Sequence, residues 1–69
     1  MKNLKFCDFG KEIKKKLVDM EQTQNWLITE VSNKTGLYFD SSYLYKIMAG
    51  KIETPTIVKA IHEILEIKE

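Results

Sequence analysis

"FDSSYLYKIMAGK", residues 39–51, decides how this chain folds. Asp40 stands where an N-cap belongs, with a carboxylate able to accept from the free amides of a first helical turn. Phe39 and Leu44 then occupy the two positions of a hydrophobic staple, which fixes the angle at which the chain enters the helix. Leu44, Ile47 and Met48, at i, i+3 and i+4, make a buried stripe, and Gly50 supplies the stop. The spacing therefore predicts a helix over 41–49. Such a short helix is unstable without neighbours to pack on. Its outward side is unusual, because Ser42, Lys46 and the small Ala49, flanked by Tyr43 and Tyr45, stand where Glu and Lys are ordinarily found. No acidic residue falls between Ser41 and Gly50.

Working outward, three further segments have helical periodicity, and nothing of useful length alternates as a strand would. Upstream, Thr23 is placed to cap a helix that begins at Gln24, buries Leu27, Ile28 and Val31, and stops at Gly36. Trp26 reads as a core or core-rim residue of this helix. Before it, Phe9, Ile13, Leu17 and Met20 recur at helical spacing over about 9–20, with Asp8 as the expected N-cap. Lys11, Lys14 and Lys15 fall on the outer side, and a solvated face is preferred there to a phosphate-contacting one. After the central helix, Thr54 is the expected cap and Pro55 takes the first helical position, where its missing amide costs nothing. Ile57, Ala60, Ile61, Ile64 and Leu65 line the inner face of this last helix. Lys59, His62, Glu63 and Glu66 line the outer one.

The expectation is an all-α single domain spanning 1–69, with its core at about 9–65. A chain of 69 residues buries only about 60% of the surface its unfolded form exposes, so the core must be compact and locally built. No apolar run approaches the roughly 18 residues of a membrane span, and the N-terminus lacks the apolar stretch and cleavage site of a secretion signal. The lone Cys7 cannot form an internal disulfide, which fits a reducing, cytoplasmic setting. Eleven Lys against ten acids leave a net charge of +1. That balance gives no overall attraction to nucleic acid, so any such role must rest on local patterning.

Catalysis has little support. The single His62 and the single Cys7 are far apart in sequence, so no thiol–imidazole pair is patterned, and neither metal-ligand spacing nor a phosphate-binding glycine loop is present. The three glycines read as helix-edge residues, and no cofactor is expected. Two consecutive helices, the second short, well capped and oddly surfaced, instead suggest a helix-turn-helix, whose second helix lies in the major groove with its N-terminal residues against base edges. Serines there are small enough for close approach and bond either donors or acceptors. Lys46 can reach guanine O6 or N7, and Tyr45 a phosphate, a thymine methyl or a base edge.

"QTQNWLITEV", followed by "SSYLYKIMAGK" and then a Pro-started amphipathic helix, resembles the lambda-repressor-like, Cro/C1-type helix-turn-helix domains of the XRE family. The residues that carry the resemblance are Thr23, Gln24, Leu27, Tyr43, Leu44, Lys46, Ile47, Gly50 and Lys51. It covers nearly the whole chain and implies a compact four- to five-helix bundle containing a helix-turn-helix with an extended turn. By the same resemblance Ser41, Ser42, Tyr45 and Lys46 would face the bases, while Thr23, Gln24, Tyr43 and Lys51 would hold the backbone. The implied function is a repressor-like transcriptional regulator of phage or mobile-element type. It would bind a palindromic operator in duplex DNA as a homodimer. The alternative from the residues alone is a small protein-binding module, such as an antitoxin-like or anti-repressor partner, with Trp26 or residues 36–40 as apolar anchors.

Overall fold

The computed structural model describes residues 6–67, which form four helices and, among the described residues, no strand. These are α1 (Asp8–Met20), α2 (Gln24–Thr35), α3 (Ser41–Met48) and α4 (Pro55–Leu65). The all-α expectation holds. Four helices account for the described chain, and the fifth that the upper end of the expected count allowed is not among them.

Local chemistry sets most of the boundaries. The Thr23 hydroxyl accepts from the Trp26 amide at 3.0 Å, and the Asp40 carboxylate accepts from the Tyr43 amide at 2.9 Å. α2 ends at Gly36 in the left-handed conformation, φ 71°, and Gly50, φ 77°, turns the chain out of α3. Past that turn the Lys51 amide donates back to the Lys46 carbonyl at 2.9 Å. Both conformations are cheap for glycine because it has no Cβ to meet the carbonyl.

Two expected caps are different. α1 starts at Asp8 itself, with Cys7 at the cap position and no side-chain cap bond. Asp8 instead places a negative charge in the first turn, where the helix dipole favours it. Thr54 does hold the cap position of α4, but its side chain makes no cap bond, because its hydroxyl is engaged with the Tyr43 hydroxyl at 2.5 Å.

The core is one cluster drawn from every helix: Ile13 and Leu17 of α1, Leu27 and Val31 of α2, Phe39 before α3, Leu44, Ile47 and Met48 of α3, and Ile57, Ile61 and Leu65 of α4. Phe39 and Leu44 are both buried in it, as the staple requires. α2 packs most extensively on α4, while α3 sits against α1 and α2. At the rim are Trp26, Ile28 and Ile64, partly buried, and a surface ion pair joins Lys34 to Glu63 at 3.2 Å.

Two expectations about faces need correction. Met20 is exposed, because the last turn of α1 runs past the core. His62 is half-buried rather than fully outward, its ring stacked on Phe9 with centroids 4.8 Å apart. Gly10, a helix-edge residue as expected, is buried in the first turn of α1, where its backbone closes on that of Met48 at the end of α3. A Cβ there would lie 2.1 Å from the Met48 carbonyl oxygen. The same carbonyl accepts from the Cys7 amide at 2.9 Å, so the start of α1 is fastened to the end of α3.

Candidate nucleic-acid interface

With Leu44, Ile47 and Met48 turned into the core, the helical repeat must turn the remaining side chains of α3 outward. Ser41, Ser42, Tyr45 and Lys46 are all exposed. They form two rows of i, i+4 neighbours: Ser41 with Tyr45, and Ser42 with Lys46.

The two rows face different surroundings. Ser42 and Lys46 line a shallow groove of about 460 Å³ together with Tyr38, Asp40 and Ile52. Tyr45 lies on the α1 side, where its ring meets the edge of Phe6 at 6.2 Å between centroids and 70° between planes. Lys51 is exposed just beyond the Gly50 turn.

Of the four residues assigned to the DNA backbone, Gln24 and Lys51 are exposed and available, whereas Thr23 and Tyr43 have structural duties. Thr23 is exposed, but its hydroxyl caps α2. Tyr43 is half-buried, with its ring tilted against Phe39 at 5.0 Å and its hydroxyl bonded to Thr54. Thr54 lies in the connection to α4, and no local signal in the sequence distinguishes this pairing from an exposed tyrosine. Thr23 and Gln24, at the start of α2, lie outside the groove that Ser42 and Lys46 share.

The groove also holds an anion, the Asp40 carboxylate that caps α3. The Tyr38 hydroxyl donates to Asp40 Oδ2 at 2.6 Å, and with the Tyr43 amide on Oδ1 it holds the Asp40 carboxyl below its ordinary range. The same bond raises the Tyr38 hydroxyl above the usual phenol range, since deprotonation would set two negative charges side by side. Asp40 therefore remains charged at the mouth of the groove at neutral pH. Tyr38 itself is 77% exposed and its neighbour Leu37 45%.

Among the described residues no three His, Cys, Asp or Glu side chains converge as a metal site would need, and no helix is long and apolar enough to cross a membrane. No protein-family model, curated protein or solved structure matches the chain.

Proposed function

We propose that this chain is a lambda-repressor-like, Cro/C1-type helix-turn-helix domain that binds duplex DNA sequence-specifically and regulates transcription, with α3 as the helix that enters the major groove. The observation that carries the reading is the composition of α3's exposed side. Two serines, a tyrosine and a lysine stand there with no acid from Ser41 to Gly50, on a short helix whose every large aliphatic side chain is buried. A face meant only for water would gain solubility from Glu and Lys. A helix with no acid of its own beyond the Asp40 cap, bearing small hydroxyls and one long cation, suits base edges and phosphates.

The Asp40 carboxylate constrains how the helix approaches. A fixed anion at the start of α3 repels phosphate, so this end must point at base edges, where an Asp side chain accepts from the cytosine amino group. The C-terminal end, with Lys51 just beyond it, then lies toward the phosphates. Lys46, one turn on from Ser42, reads a base, and Gln24 and Lys51 hold the backbone.

One such helix reads only a few base pairs, and each correct pair adds about 1 to 3 kcal/mol, too little to stand out among genomic competitors. Two copies on a palindrome double the reading, with half-sites about one helical turn, or 34 to 36 Å, apart. Selection of bound duplexes from a random pool at low salt tests the proposal. A two-fold symmetric sequence should emerge, and inserting five base pairs between its halves should weaken binding sharply. A pool that stays random through successive rounds would refute it.

A second reading draws on the exposure of Leu37 and Tyr38. An apolar pair beside α3 suits a protein partner, in the manner of an antitoxin-like or anti-repressor module. Under that reading Tyr38→Ala abolishes partner capture while duplex selection yields nothing.

A further inference from the structure

The net charge of +1 conceals an uneven distribution: residues 1–20 hold six of the eleven lysines and only three of the ten acids. Lys11, Lys14 and Lys15 on the outer side of α1 are exposed, and none is ion-paired among the described residues. The fold brings that helix to the side of α3. The Cys7 amide is bonded to the Met48 carbonyl, and Gly10 lets the two backbones close to a distance no side chain would permit. Phe6, thus placed, bridges the two surfaces, its ring meeting Tyr45 at 6.2 Å and lying under the Lys14 ammonium at 5.7 Å.

We infer that Lys11, Lys14 and Lys15 form a clamp on the DNA sugar–phosphate backbone, set beside α3 by Phe6. The inference rests on the DNA-binding reading and adds a surface to it. The Lys14 ammonium lies no farther from the Tyr45 ring than those two ring distances laid end to end. That upper limit is close to the width of the B-DNA major groove, about 12 Å. With Tyr45 at the groove, Lys14 stands within a groove's width of it, and its assigned contact is a phosphate of the bordering strand. Contact with the Phe6 face limits the freedom of the Lys14 side chain, so less entropy is lost when a phosphate is bound. Such contacts position the protein without reading sequence, and they give a nearly neutral chain a local electrostatic footing on DNA.

The test uses the full chain and the salt dependence of binding, on the duplex enriched by selection and on a scrambled duplex of equal length. Removing one lysine from a phosphate lowers the slope of log affinity against log salt by about 0.9. Lys14→Gln should lower it by about one per bound copy, and Lys11→Gln, Lys14→Gln and Lys15→Gln together by about two to three per bound copy, on both duplexes. Lys59→Gln removes the same charge from the outer face of α4 and should leave the slope unchanged. If the wild type prefers its selected duplex but the triple variant keeps the wild-type slope, the clamp is overturned and the DNA-binding reading stands. If Lys59→Gln lowers the slope as much as Lys14→Gln, the effect is one of bulk charge and the clamp is again overturned. If the wild type binds neither duplex, both inferences fall.

Discussion

Gly10→Ala should be among the most damaging small changes in this chain, although it adds one methyl group and improves helix propensity. Gly10 has no unusual backbone angle to protect, since the positive-φ glycines are Gly36 and Gly50. What it protects is a distance. The added Cβ would stand 2.1 Å from the Met48 oxygen, 2.8 Å from the Met48 carbonyl carbon and 2.9 Å from its Cα, where carbon atoms settle at about 3.5 to 4.0 Å. All three are backbone atoms, so no rotamer change relieves the clash. Withdrawing the carbonyl also pulls it from the Cys7 amide at 2.9 Å and the Cys7 thiol at 3.2 Å. Overpacking costs about 1 to 3 kcal/mol, and a rigid backbone contact belongs at the upper end. Breaking the amide bond adds about 1 kcal/mol, while Ala returns up to about 1 kcal/mol of propensity. The net loss is about 3 kcal/mol. Urea unfolding followed by helical circular dichroism measures it, with an unchanged slope showing that the shift in midpoint is one of stability. Gly36→Ala is the control. There a Cβ meets nothing within 4 Å, and only the left-handed backbone is penalised, by about 1 to 2 kcal/mol. If Gly10→Ala costs less than Gly36→Ala, the close seating of α1 on α3 is wrong, and the Phe6 bridge with it.

Three further outcomes follow from the same geometry. Phe39→Ala removes a core aromatic that is 4% exposed and should cost about 3 to 5 kcal/mol in urea unfolding, whereas Tyr38→Ala should change the midpoint little. Glu21 ends α1 in the left-handed conformation, φ 57°, so Glu21→Gly should raise the thermal midpoint, with a net gain of about 0.5 to 1 kcal/mol once glycine's greater unfolded-state freedom is subtracted. The Asp40 carboxyl titrates lower when folded than unfolded, so its charge stabilises the fold above the unfolded value of about 3.9 and ceases to as pH falls through the lower folded value. Wild type should therefore exceed Asp40→Asn in thermal midpoint at neutral pH and lose that advantage on acidification below about pH 4. An advantage that persists unchanged in acid would remove the charge from the explanation.

The sequence made the starts of α2 and α3 legible because their signals are local. Thr23 and Asp40 need only reach an amide three residues ahead, and Pro55 marks α4 by its own ring. The outward side of α3 was legible for the same reason, since burial of Leu44, Ile47 and Met48 decides by period alone that Ser41, Ser42, Tyr45 and Lys46 face out. What could not be read depends on distant partners. Nothing near Tyr43 in the chain announces that Thr54 will take its hydroxyl. Gly10 looks like any glycine at a helix edge until α3 is laid against it. Met20 kept the apolar period of α1 but lies one turn beyond where the core ends. The groove wall built by Tyr38 and Ile52 and the Phe6 bridge between α1 and α3 were equally out of reach, because each joins segments with no shared pattern.

Dimethyl sulfate footprinting on the selected duplex tests most directly whether α3 reads the major groove, because the reagent methylates guanine N7 in that groove and adenine N3 in the minor one. Wild-type protein should protect guanine N7 in each half-site. Lys46→Ala should uncover one guanine in each half while the remaining protections persist, with a loss of about 1 to 3 kcal/mol confined to that base pair. Protection of adenine N3 alone, or a Lys46→Ala footprint identical to wild type, would contradict the assignment of α3 as the reading helix.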